Sequence, residues 1–247
     1  MNDHIEREDN QKALLLQVGI DKRSAGTYSP IFEDGSFEYI PKPAENKGAT
    51  HETYNQRPGR KRLPLAVYLP PTLKNAPLHD DPEFKTYTFG TASPLRTSLH
   101  ALRRGDLLVF YAGLQPFHAD AYRIGLYIIG YFTVKDVVTF HDLSKAEAHV
   151  YSERLARNPH VKAGDTRDVV FVIGDETHST LLDRAILLAE ASANHRSVRA
   201  ATYAFSDEMV ELIGVSGTIE NNTGPICVAG ADHMTNLKRI LAIPEGG

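Results

Sequence analysis

The stretches Gly105–Leu114, GDLLVFYAGL, and Gly125–Val134, GLYIIGYFTV, decide how this chain can fold. Both are dense in Leu, Val, Ile, Phe and Tyr, the residues that fit a pleated and buried surface. They predict two strands, over 106–114 and 125–134, joined by the wide loop QPFHADAYR (Gln115–Arg123). Ala112, Gly113, Gly125 and Gly130 interrupt them with small residues, which in a strand mark a bulge, close packing or the approach of a ligand.

Working outward, Leu14, Leu15, Leu16, Val18 and Ile20 form a shorter apolar run that turns polar at Asp21, a third strand. Asp168–Ile173 reads as a fourth, running into Gly174 and Asp175. Phe37, Tyr39 and Ile40, ended by Pro41 and Pro43, and Leu65–Leu69, stopped by Pro70 and Pro71, predict two more. Leu95, Leu99 and Leu102 have helical spacing within Ser93–Arg104, with Ser93 as cap and Pro94 at the first position. Ser144–Arg157, Ser206–Ile213 and Met234–Leu241 predict further helices, and Ser179–Ala185 a helix start or a binding loop. Apolar β-prone runs separated by helical segments predict one compact α/β or α+β domain, a mixed β-sheet with flanking helices. Its strands near 13–19, 106–112, 125–134 and 168–173 are central. The domain spans 12–243, behind a polar, flexible tail at 1–11.

Composition narrows the functional classes. With 42% hydrophobic and 23% charged residues, the 247-residue chain has the balance of an ordinary soluble globular protein. A net charge of −4 supplies no global basic field, so any contact with nucleic acid must use a local patch. The basic residues Arg57, Arg60, Lys61 and Arg62 in the polar loop Glu45–Arg62 are either a solvated surface or such a phosphate-contacting strip. A single cysteine, Cys227, excludes an internal disulfide and a cysteine-rich zinc site, and fits a cytoplasmic home. No apolar run has the roughly 20 residues needed to span a membrane, and no secretory signal is expected. Walker and GxGxxG loops are missing, so ATP or dinucleotide use has no motif behind it.

Side chains able to do chemistry cluster in a few places. Asp21 follows a strand end, where ligands tend to bind in open α/β sheets. The loop after it carries Tyr28, Ser29, Glu33 and Asp34. His79, Asp80, Asp81 and Glu83 crowd the segment LHDDPEFKTYTFG, where Pro82 turns Asp81 away from helical geometry. Such a group could bind a divalent metal, or Asp81 could simply cap a short helix begun by Pro82.

Taken together, VGID (Val18–Asp21), SPIFEDGSFEYIPKP (Ser29–Pro43), HDDPEF (His79–Phe84), TYTFG (Thr86–Gly90), GDLLVFYAGL, NPH (Asn158–His160) and the late segment Gly174–Ala185 resemble the third type of nucleotide-modification-associated domain. The matched order covers nearly the whole chain. The chain departs from the pattern after Pro43, where Ala44 precedes Glu45. The 106–134 strand pair also resembles the barrel hairpin of PUA-like and EVE domains, which read nucleobases. The family resemblance implies a place in a system that modifies bases in DNA, with a nucleotide or DNA as partner. Two functions follow: an enzyme acting on a nucleobase or nucleotide, such as a group-transferring enzyme, or a non-catalytic module that binds a modified base. For an enzyme, Asp21 or Asp81 is a candidate base and His79 or His160 a candidate proton donor. Tyr28, Ser29, Glu33, Asp34 and Asp175 are candidate substrate contacts, and Arg123 could hold a phosphate. Tyr111 could stack on a base or belong to the core. Asp21, the Glu33/Asp34 loop, His79–Asp81 and His160 are expected to line one pocket.

Overall fold

The computed structural model describes residues 11–44, 52–92, 94–164, 166–191, 202–220 and 224–244. Most of the tail expected at 1–11, and the 45–51 part of the polar loop, lie outside them. In chain order the elements are β1 (Lys12–Gln17), β2 (Ser29–Ile31), β3 (Lys42–Pro43), β4 (Leu78–His79), β5 (Thr88–Thr91), α1 (Arg96–His100), β6 (Leu107–Pro116) and β7 (Gly125–Thr139). They continue with α2 (Lys145–Arg154), α3 (Pro159–Lys162), β8 (Val170–Gly174), β9 (Thr180–Ala191), β10 (Thr202–Phe205), α4 (Asp207–Ile213), β11 (Thr218–Glu220), β12 (Ile226–Ala229) and α5 (Ala231–Ile240).

The main sheet runs β11-β10-β9-β7-β6-β1-β12. It is mixed, because β1 and β2 lie parallel to β6 whereas β7 is antiparallel to it. The fold is thus α+β, an open sheet with flanking helices. Successive residues of β6 face opposite layers, as the two-residue period of a strand requires. Leu107, Val109 and Tyr111 pack in one core with Met209 and Ile213 of α4 and Met234 and Leu237 of α5. Leu108, Phe110, Ala112 and Leu114 pack in another with Phe89, Leu99, Phe132 and Val170. Both faces of the strand are covered, which is why its sequence reads as an unbroken apolar run.

Two features of this sheet position the site. β1 and β2 lie along the same edge of β6, β1 against 107–111 and β2 against 114–116, so the chain between them leaves the sheet and carries Asp21 out with it. β7 is longer than expected because it serves two neighbours in succession. Residues 125–131 pair with β9 and residues 134–139 with β8, the register shifting between Val134 and Asp136. β8 in turn pairs with β5, forming a wing on which the TYTFG segment lies.

Several short elements differ from expectation. Leu65–Tyr68 is a 3-10 turn that buries Leu65 and Ala66; between Pro64 and Pro70 the segment finds no partner strand. Phe37 makes only an isolated bridge to Ile31, although Phe37 and Ile40 are fully buried. Residues 180–185 begin neither a helix nor a binding loop but β9, drawn into the sheet by antiparallel pairing with β7. α1 ends at His100, short of the expected Arg104, and still buries Leu99; its expected cap, Ser93, lies outside the described residues. Among the described residues no helix is long and apolar enough to cross a membrane.

Candidate functional site

Three side chains from two distant segments meet beside the β5–β8 wing. His79 lies on β4, which pairs Lys42 with His79. Two residues on, Asp81 turns inward and is 8% exposed. His160 comes from the NPH motif. Asn158 caps α3 by accepting the backbone N–H of His160 at 3.0 Å, and Pro159 stands where its missing N–H costs nothing. Asn158 is itself fully buried, with its amide 3.4 Å from Thr88 Oγ1. The motif is thus a cap that aims an imidazole.

The Nε2 atoms of His79 and His160 lie 3.9 and 3.6 Å from the same oxygen, Asp81 Oδ2. The two rings meet edge to face, with centroids 4.8 Å apart. Asp81 does not cap a helix after Pro82. The following residues form a turn closed by the Glu83–Thr88 bridge, and both Asp81 oxygens face the backbone N–H of Gly90, at 3.2 and 3.1 Å. Burial raises the Asp81 pKa from 3.8 to about 6, while His160 and the Gly90 N–H hold it from rising further. A carboxyl so tuned can exchange a proton near neutral pH. One donor atom from each of the three residues lies within 4.8 Å of the others, the type and spacing of groups that could hold a metal ion.

Gly90 makes room for this cluster. A Cβ there would sit 3.0 Å from His160 Cδ2 and 3.0 Å from Phe171 Cε1. Gly90→Ala should therefore displace the His160 ring and cost about 1–3 kcal/mol through overpacking. A thermal melt of the purified variant reads the cost.

A cavity of about 350 Å³ is linked to the cluster through the neighbouring Asp80, although His79, Asp81 and His160 do not themselves line it. Tyr39 and Asp80 line it, and the Tyr39 hydroxyl donates to the Asp81 carbonyl at 2.8 Å. Its walls hold Tyr39, Phe84, Tyr87 and Leu181 together with Glu38, Arg57, Arg60, Asp80, Glu83 and Lys85. Glu38 is almost fully buried and accepts the N–H groups of Arg60 and Lys61 at 2.7 and 2.9 Å. Arg57 bridges Glu52 at 2.7 Å and Asp80 at 2.6 Å. The cluster 57–62 is therefore more than a solvated strip. Arg60 binds Asp183 and the Leu182 carbonyl and covers Phe37, while Lys61 pairs with Asp34.

The other sequence-predicted residues fall elsewhere. The Asp21 carboxylate accepts the N–H groups of Arg23 and Ser24 at 2.9 and 2.7 Å, closing its own turn. Tyr28 is buried, with its hydroxyl 2.6 Å from that of Tyr203, and Ser29 is fully buried in β2, its hydroxyl finding no hydrogen-bond partner among the described residues. Glu33 accepts the Asp120 N–H at 3.0 Å. Asp34 accepts hydrogen bonds from Ser36 and Lys61, which lower its pKa to about 2. Tyr111 is a core residue of β6. Arg123 lies exposed in the β6–β7 loop, its carbonyl accepting the Tyr127 hydroxyl at 2.7 Å. Asp175 orders the turn after β8 by accepting the Thr177 hydroxyl and N–H, and these bonds lower its pKa. Of the distant motifs, it is HDDP and NPH that join.

The family model for nucleotide modification associated domain 3 matches residues 12–220. The chain belongs to that family. No curated protein and no solved structure matches it. Membership ties the chain to nucleotide modification. It also draws attention to residues that polarity alone did not single out, Glu38, Tyr39 and Phe84, which lie within segments that carried the resemblance and line the cavity.

Proposed function

We propose that this domain is an enzyme that alters a nucleobase or nucleotide in a DNA-modification system, with His79, Asp81 and His160 as its reacting centre and the cavity lined by Asp80 as the seat of the base. The observation that carries this reading is the convergence of two imidazoles and a buried carboxyl of raised pKa, one residue along the chain from a cavity-lining aspartate, Asp80, whose cavity holds several other ionisable groups. A cavity of about 350 Å³ falls at the small end of those that hold metabolite-sized ligands. Tyr39, Phe84 and Tyr87 offer faces and edges for a planar ring, and Lys85 and Arg60 offer charge for a phosphate. Group transfer to the base is the reaction class we favour. The working unit is 12–243, with a nucleotide or DNA as partner and a cytoplasmic site of action.

A module that only binds a modified base is the second reading, favoured by the aromatic part of the same cavity. Mass spectrometry of nucleosides from DNA of cells with and without the gene separates the two. The enzyme adds or removes a nucleoside species; the binding module leaves the profile unchanged.

The turn at Asp21 supplies a contrast. Asp21→Ala removes the acceptor for two backbone N–H groups in a largely solvated turn, so it should cost about 1 kcal/mol. Nucleoside yield per folded molecule should stay as it is. A denaturant melt and nucleoside analysis of the same variant check both parts, and a lost product in a stable protein would return Asp21 to the mechanism.

A further inference from the structure

We infer that His79, Asp81 and His160 form a binding site for one divalent transition-metal ion, held by two imidazole nitrogens and one carboxylate oxygen on one side, with its remaining positions open. This deepens the enzyme reading, since the ion would sit at the centre assigned to the chemistry, but the geometry stands by itself.

The separations are the first ground. The Nε2 atoms of His160 and His79 stand 3.6 and 3.9 Å from Asp81 Oδ2. Ligands about 2.1 Å from a shared ion lie roughly 3.0–3.4 Å apart, so small side-chain rotations would close the set around a metal. The perpendicular rings add to this. Edge-to-face contact turns both Nε2 atoms toward one oxygen instead of stacking the imidazoles side by side.

The surroundings are those of ligands held in advance. The Gly90 N–H fixes the Asp81 carboxylate, and Asn158 fixes the turn of helix carrying His160. Outer contacts of this kind orient metal ligands and are as much a part of such sites as the ligands. Access is graded in the way an open site requires: the side chain of Asp81 is 3% exposed, that of His160 19% and that of His79 32%. The carboxylate forms the floor and the imidazoles the rim. A water or a substrate atom can therefore reach the outer face of an ion.

The donor set selects the ion. Two imidazoles with one carboxylate favour first-row transition ions or zinc over magnesium and calcium, which prefer all-oxygen shells. Two histidines, one carboxylate and open positions are also the arrangement that suits divalent iron.

Cobalt(II) is the probe. Full-length protein freed of metal with a chelator and titrated with cobalt(II) should bind one ion per chain and develop visible ligand-field absorption, unaffected by millimolar magnesium. His79→Gln, at the exposed rim, should fold normally and weaken binding at least 10-fold, in line with loss of one ligand; His79→Gln with His160→Gln should abolish it. Equal binding by the parent and by either folded variant, or displacement by magnesium, would overturn the site. If cobalt binds as described while the nucleoside profile of cells never changes, the metal site stands and the enzyme reading falls. If nucleosides change but cobalt does not bind, the reverse holds.

Discussion

Asp81→Asn is expected to give a protein that melts higher than the parent at pH 8 yet loses nucleoside product by about 10²- to 10⁴-fold, the span typical for removing a general acid or base. The substitution keeps the size of the side chain and an oxygen able to accept the Gly90 N–H. Its effect on stability follows from burial, which raises the carboxyl pKa from 3.8 to about 6 in the folded protein. Between those values the folded state holds a proton that the unfolded chain has released. Stability contributed by this group is therefore greatest below about pH 4 and falls as pH rises to about 6. At 1.36 kcal/mol per unit of pKa difference, the loss is on the order of 3 kcal/mol at most. Asn cannot ionise, so the variant should lack that decline. Thermal melts of metal-free parent and variant at pH 5 and pH 8 read the stability, and nucleoside yield from the same variant in cells reads the chemistry. Undiminished product in the folded variant would remove Asp81 from the reacting centre.

The central strands were legible because both faces of β6 and much of β7 are buried, so almost every residue had to be apolar. Helices with a clear cap were legible too. Ser144 accepts the Glu147 N–H while Glu147 reaches back to the Ser144 N–H, and Ser206 accepts the Met209 N–H. β9 was not, since most of its residues are only partly buried and no face of it shows a clean alternation. Phe37–Ile40 carried a strand's composition, but burial was satisfied there with only an isolated backbone bridge.

The site was legible in part for a related reason. HDDP and NPH each concentrate polar groups next to a proline, and the residues that meet come from those two motifs. The cavity was hidden because it is built across segments far apart in sequence, chiefly 38–41, 57–60, 83–87 and 180–181. Consecutive aspartates make the point sharply. Asp81 joins the two histidines, while Asp80 turns to Arg57 and the cavity. One DD dipeptide thus serves two environments, a division that no spacing rule reveals.

Arg57→Leu should be the most destabilising substitution at the cavity. The Arg57 side chain is 18% exposed and binds Asp80, 16% exposed, at 2.6 Å, with Glu52, 41% exposed, on its other flank at 2.7 Å. Removing the guanidinium leaves the Asp80 carboxylate largely desolvated without its cation. Breaking a fully buried pair this way costs about 3–5 kcal/mol, and partial exposure brings the expectation here to about 2–4 kcal/mol. For a chain of this length that is a fall in melting temperature of roughly 5–15 °C. The loss should depend on pH. Burial already raises the Asp80 pKa against the pull of Arg57, so without Arg57 it rises further, and Asp80 escapes its unpaired charge by taking up a proton as pH falls. Arg57→Leu should therefore lose less stability at pH 5 than at pH 8. Adding Asp80→Asn removes the stranded charge and should recover much of the deficit at pH 8, a coupling that a double-mutant cycle measures directly. A deficit of the same size at both pH values, with no recovery in the double variant, would mean that Arg57 acts through packing of its aliphatic stem and not through the pair with Asp80.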